Sequence, residues 1–321
     1  MPGVTSTPAS PTVTPTTPRS PHAAAALALL AFVPALTWAD TPAPNQDMRF
    51  VSIGAQADNR HDQELLSTLS LPVGQRGWVQ AGVGQSRSVE ATGPRKPAIV
   101  NGAVGLAGES VQATVSASHR ADGGRYRQTD VGTSVDWRRG GNGIGLDVTH
   151  RRSQAAGTVA VPGAVGGSTA VPAQARVAGT GLGVHGTLQV TEHLGVYASA
   201  TRNHYKTSTR QDTTTQPGGL LGADPVLSRA LLGGGSFVDR DELALDHGAQ
   251  VGATWRWTKV ALSGEYTAGQ LHDGAGAMRS VDVKAAVDVA PGWRVAPGVG
   301  RGTTGQGGHA TFASLAATYG W

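Results

Sequence analysis

From about residue 48 onward, apolar residues recur at every second position, a period that fits β-strands with two faces in different surroundings. In 111–117 the set Val111, Ala113, Val115, Ala117 is interleaved with Gln112, Thr114 and Ser116. In 243–257 Leu245, Ala249, Val251, Ala253, Trp255 and Trp257 alternate with Asp246, Gln250, Thr254 and Arg256. In 281–289 four valines and Ala285 alternate with Asp282, Lys284 and Asp288. The pattern predicts strands near 48–58, 64–71, 76–87, 98–107, 110–120, 125–138, 144–152, 177–190, 194–208, 242–257, 259–269, 278–289, 293–302 and 309–321.

A soluble sandwich would alternate in the same way, so two further features decide between the folds. Every second connection is tight: 72–75, Gly108-Glu109, 140–143, 191–193, Thr258 and 290–292. The interleaved connections vary, and two are long, at 153–176 and 209–241. Short turns at one end and variable loops at the other are the arrangement of a transmembrane barrel. The tryptophans give the second feature. Trp78, Trp137, Trp255, Trp257, Trp293 and Trp321 all fall at the short-turn ends, with Trp78 on the parity of Gln80. Tyr126, Tyr205 and Tyr266 fall towards the opposite ends, and Tyr319 near the chain terminus. Two aromatic girdles, one at each headgroup level, would account for this. The expected fold is therefore all-β: a transmembrane antiparallel up-and-down β-barrel of about 14 strands, or 12 if 48–58 and 64–71 lay outside the wall.

Closure follows from the medium, because an open edge in hydrocarbon would leave backbone N–H and C=O groups without partners. Glycine-rich strands such as 102–108 and 179–186 suit a wall that must bend and coil. About fourteen strands would enclose more space than side chains fill.

The N-terminus reads as an export signal. Residues 1–22 are rich in Pro, Ser and Thr, and an apolar stretch follows at 23–36 that is too short to span a bilayer. Thr37-Trp38-Ala39 then offers small-x-small cleavage after Ala39. The expected division is a leader and signal peptide over 1–39 and a barrel over 40–321. The absence of cysteine excludes disulfides, thiolate metal sites and a lipid-modified N-terminal anchor. The formal charge of +4 carries no basic run of five or more, so nucleic acid is not an expected partner.

The last segment, HATFASLAATYGW, puts Ala313, Leu315, Ala317 and Tyr319 on one face and ends in Trp321. It resembles the C-terminal signal by which Gram-negative outer-membrane barrels are recognised for assembly, with Trp where Phe is usual. The resemblance implies a porin-like outer-membrane barrel, the barrel-assembly machinery as a partner through the strand ending in Trp321, and lipid and lipopolysaccharide around it.

No segment presents a convincing catalytic or cofactor site. Gly181 to Gly186 matches GxGxxG, but it lies inside a strand pattern with no helix following. Asp246 and His247 are adjacent, so within a strand they point to opposite faces. His309 and Thr311 share a face but lack a serine and a base context. No cofactor and no metal are expected, and no enzymatic role.

The inward charges carry more information. By parity Asp130, Asp136, Arg138, Asp147, Arg151 and Asp246 face the lumen, as do Arg256, Glu265, Asp282, Lys284, Asp288 and Arg294. Arg138 and Arg139 sit beside a tight turn, at the periplasmic rim. The two signs would either set a transverse field across a water-filled pore or pair across strands and knit the wall. Loop 209–241, with an apolar stretch at Val226–Leu232, would narrow the pore or extend from its outer mouth. The expected function is passive diffusion of small hydrophilic solutes through a polar, mixed-charge lumen, in a monomer or a homo-oligomer. The alternatives are a non-conducting surface scaffold or adhesin, and a barrel associated with exopolysaccharide export.

Overall fold

A computed structural model describes residues 49–90, 93–162, 168–211, 245–272, 276–304 and 308–321. The leader and signal peptide, and 212–241 with the stretch Val226–Leu232, lie outside the described residues. The strands are β1 (Phe50–Asp58), β2 (Gln63–Val73), β3 (Gly77–Glu90), β4 (Gly93–Arg95) and β5 (Ala98–Ala107). There follow β6 (Val111–Asp122), β7 (Tyr126–Arg139), β8 (Asn142–Pro162), β9 (Ser168–Gln189) and β10 (Leu194–Gln211). The last five are β11 (Leu245–Arg256), β12 (Val260–Leu271), β13 (Ala277–Ala290), β14 (Trp293–Thr304) and β15 (His309–Gly320).

From β2 to β15 each wall strand pairs antiparallel with the next wall strand in sequence, and β1 pairs with β15 from Phe50↔Gly320 to Asp58↔Phe312. The wall is a closed barrel of 14 strands. The segments that would have reduced it to twelve are β1 and β2, and β2 pairs along its whole length with β3. β4 stands off the wall, paired only with the end of β3.

The connection expected at 153–176 is largely strand. β8 and β9 stay paired as far as Pro162↔Ser168, and beyond Ala155 β8 outruns β7. The segment is rich in Ala, Gly, Val and Pro and carries no polar–apolar alternation, so no strand signal is legible there.

The tight turns use backbone conformations that their residues can adopt. Gly74, Gly140 and Gly292, each in a short turn at the Trp-bearing end, have φ of 64°, 60° and 75°. At the opposite end His61 also has a positive φ, 70°. There the Asp58 carboxylate accepts from the backbone N–H of Arg60 (2.8 Å) and Asp62 (3.0 Å), a local turn that holds His61 in place.

The burial pattern is inverted relative to a soluble protein. Leu106, Leu146, Leu182, Val83 and Val299 are among the most exposed large side chains, while Asp136, Glu265, Asp282 and Lys284 are buried. Exposed outward Val and Leu on nearly every strand would be an aggregation surface in water. Facing lipid tails, it is the expected exterior.

Candidate functional site

The membrane-facing band is bounded by two kinds of residue. At the short-turn end Trp137, Trp255, Trp257, Trp293 and Trp321 are exposed outward. Tyr319 is sandwiched on the same face, its ring 5.0 Å from that of Trp293 and 6.0 Å from that of Trp321. At the other end the same outward parity carries cations: Arg127 on β7, His247 on β11 and Arg301 on β14, all exposed. From Trp137 to Arg127 is ten positions, and from Trp255 to His247 eight. With ~3.4 Å per residue and a ~40° tilt, the apolar band between them is about 21–26 Å tall, the height of an outer-membrane hydrocarbon layer.

Three aromatics expected in the girdles face the lumen instead. Tyr126 is 4% exposed, shares the inward set of Gln128 and donates to its Oε1 (2.6 Å). Tyr205 and Trp78 also have inward parity, and each lies against a glycine of the next strand, Gly179 and Gly105. Tyr266, 41% exposed, does face outward.

The expected lumen charges occupy the inward face, and most of them meet a partner of opposite sign. Arg151 holds Asp130 through Nε at 2.8 Å and a second nitrogen at 3.1 Å. Lys284 lies 3.3 Å from Asp282, one side chain along β13. Asp282 is also the direct cross-strand partner of Glu265. Arg294 and Asp288 pair at 2.7 Å at the short-turn mouth, where both remain largely exposed. Arg256 and Arg138 are partly exposed near that mouth. Asp246, near the opposite mouth, accepts from His272 (2.7 Å) rather than meeting His247, which faces outward.

A recurring device organises this wall. His185 on β9, Gly145 on β8 and Asp136 on β7 form one cross-strand row. With no side chain at 145, the imidazole crosses β8 and its Nε2 meets Asp136 at 2.7 Å, while Nδ1 meets Asp147 at 2.6 Å. The ring nitrogens and the two carboxylates share their protons in one hydrogen-bonded cluster across three strands. Tyr197, Gly252 and Glu265 repeat the row on β10, β11 and β12, with the phenol donating to the carboxylate. Tyr205, Gly179 and Arg151 repeat it on β10, β9 and β8. Each ring is laid along the wall by the glycine beneath it. His185 and Tyr197 were not singled out in the sequence. Their parity was readable, but their partners depend on register.

Buried side chains also pack in the half of the lumen remote from the Trp end. Phe312 lies over Gly300 and clusters with Met278 and Ala310, with Leu245 and Leu271 against them. Across the wall, β4 brings Arg95 over the Tyr126 ring (4.5 Å), and Arg120 pairs with Glu64 (3.5 Å), all four buried.

The remaining motifs stay in the wall. The GxGxxG segment lies inside β9, paired on both sides. His309 and Thr311 have the outward parity. Among the described residues no group of three or more His, Asp or Glu is arranged to hold a metal ion.

A closed fourteen-strand wall with an apolar exterior band, a Trp ring and a charged interior defines the class: a β-barrel of the Gram-negative outer-membrane type. No family model and no curated protein matches the chain. Among solved structures it is similar to the CymD monoaromatic hydrocarbon channel, with a TM-score of 0.52 and 11% identity over 90% of this chain and 93% of that one. It is also similar to a Pseudomonas aeruginosa FadL homologue, with a TM-score of 0.51 and 9% identity over 84% of this chain and 88% of that one.

Proposed function

We propose that this barrel is an outer-membrane channel for passive diffusion of small hydrophilic solutes, reached by signal-dependent export of the chain. The observation that carries the reading is the inward face, where charges of both signs stand and most are paired with a counter-charge of the same barrel. Fixed, mutually paired charges present polar groups to a passing solute without holding it, which suits diffusion better than tight binding. A second reading has support from the apolar cluster of Met278, Phe312, Leu245 and Leu271 inside the outer half. That cluster would favour a solute with an apolar face, and CymD, a monoaromatic hydrocarbon channel, has a similar fold.

The test is single-channel conductance of the refolded full chain in a planar bilayer. Stable ohmic steps are expected. Asp282→Asn, which removes an inward carboxylate, should move the reversal potential in a salt gradient towards anion preference, and Lys284→Gln should move it the other way. Sugar entry in liposome swelling separates the two solute classes. Absence of steps would overturn the channel reading and leave a surface scaffold or an export-associated barrel.

A further inference from the structure

Three neighbouring strands outrun the rest of the wall. β8, β9 and β10 have 21, 22 and 18 residues, against 14 at most elsewhere. Past Tyr126↔Ala155, β8 has no strand partner on the β7 side among the described residues. Past Arg202↔His247, β10 has none on the β11 side. β9 stays paired with both, as far as Pro162↔Ser168 and Gln211↔Ala173. The three strands therefore form a tongue with two open edges, 157–162 of β8 and 203–211 of β10. The first begins beyond the row of Arg127 and Gln154, and Arg127 bounds the apolar band, so this edge lies on the outer side of the membrane.

The two edges are protected differently. An open edge is a template for a further strand, and Lys or Arg along it discourages pairing. The β10 edge carries His204, Lys206 and Arg210. The β8 edge, AGTVAVP over 156–162, has no ionisable residue and includes Thr158, Val159 and Val161, residue types that favour strands. Its backbone directions follow from the last bond to the β6–β7 turn, in which the Ala156 N–H donates to the Arg125 carbonyl (2.7 Å). Strand residues of one parity turn to one side. Thr158 and Ala160 therefore each aim an N–H and a C=O at the open edge, and Pro162 adds a carbonyl.

The seat also has a closed lower end. A strand added antiparallel to β8 would lie in line with β7 and run towards its first residue, Tyr126. It would stop against the turn at 122–126, where Arg125 is exposed. A chain that continued would have to bend away, whereas a chain that ends there brings a carboxylate to a guanidinium.

We propose that this edge docks the free C-terminal end of an extended, uncharged peptide, which adds to β8 as a strand and places its carboxylate at Arg125. Backbone hydrogen bonds hold the strand, and the closed lower end selects a chain terminus. The proposal concerns the tongue alone and stands or falls apart from the channel reading.

The experiment is fluorescence anisotropy of an N-terminally labelled heptapeptide of alternating threonine and valine, titrated with the refolded full chain in neutral detergent. The peptide with a free carboxylate should bind, and methylating its backbone nitrogens should abolish binding. Thr158→Pro/Ala160→Pro removes two edge N–H groups that the sheet does not use, and should weaken binding by at least about 10-fold. On the β10 edge the Arg256 N–H donates to the His193 carbonyl, so Thr207 and Thr209 share the parity that faces away from β9. Thr207→Pro/Thr209→Pro, the matched change there, should leave binding within about 2-fold. Amidating the peptide and Arg125→Gln should each weaken it by about 3-fold, and together no further, as for an exposed ion pair. Heat-modifiable migration on gels reports that each variant is folded, and Ala160→Pro alone is the fallback if the double variant is not. Absence of binding, equal binding of the N-methylated peptide, an unchanged β8-edge variant or an equal loss at the β10 edge would overturn the proposal. An amidated peptide ending in aspartate that bound as well as the free carboxylate would overturn the choice of a chain terminus.

Discussion

Asp282 and Val283 are consecutive residues of β13 that face opposite media, the first 3% exposed beside Lys284 and Glu265, the second 43% exposed among outward valines. The same contrast holds around the barrel. On the lumen face carboxylates are answered from within the protein: Asp136 and Asp147 by His185, Asp130 by Arg151, Glu64 by Arg120, Asp288 by Arg294. On the lipid face carboxylates are missing from the described strands, and the arginines and lysines stand towards the two boundaries, most of them the outer one, with Arg139 at the short-turn end. The inner face can therefore carry charge at any height because its counter-charges are built in, whereas the outer face can carry it only where the surroundings supply them.

The sharpest way to break that contrast is to move charge across one peptide unit. Val283→Arg puts a guanidinium in the apolar band, about midway between Arg279 and Val289, and should cost about 2–4 kcal/mol of folding free energy in bilayers. The folded fraction in a urea titration of vesicle-inserted protein measures it. Asp282→Asn, one residue away, should leave that fraction nearly unchanged, because Asn still hydrogen-bonds inside the wall. If both variants folded alike, the assignment of the two faces would be wrong.

A middle-sized effect is expected at the glycines that let rings cross a strand. A side chain at Gly145 would occupy the path of the His185 imidazole and meet the Asp136 carboxylate. Gly145→Val should expel the ring, leave Asp136 and Asp147 without their shared donor and destabilise the barrel by about 2 kcal/mol. Gly264, where an added Cβ would meet nothing, provides the control, and Gly264→Ala should be close to neutral. Thermal unfolding in detergent reads both.

Much of this architecture was legible because lipid outside and polar groups inside impose a period of two over each crossing. All fourteen wall strands fall where that alternation places them, even β1 and β2, whose alternation was the faintest. Between Ala155 and Ala175 that alternation is missing, so the extension of β8 and β9 looked like loop. Position along the strand points Tyr126, Tyr205 and Trp78 to the girdles, but their parity turns them inward. Trp78 had the parity of Gln80, and the lumen is where it lies. The rows His185–Gly145–Asp136 and Tyr197–Gly252–Glu265 were hidden for another reason. Each needs the relative register of three strands, which depends on turn lengths and on the stagger of the closed wall rather than on any one segment. Glycine abundance gave a hint of close approach but not of which ring approaches which strand.

The smallest effect is expected where the two faces cease to differ, at the short-turn mouth. Arg294 and Asp288 face the lumen by parity, yet both are more than two-fifths exposed, so water screens their 2.7 Å contact from either side. A pair of this kind contributes little, because each partner is nearly as well solvated alone. Arg294→Ala should therefore change stability by less than about 0.5 kcal/mol, well below Gly145→Val in the same thermal assay, and the small loss should vanish in high salt. The residual effect on conductance should be larger than that on stability. Removing one positive charge at the mouth alters the local potential felt by an entering ion even where it leaves the fold untouched. A loss of 2 kcal/mol or more would mean that the mouth is drier than its exposure implies, and that the boundary between the two treatments of charge lies lower on the wall than the tryptophan ring.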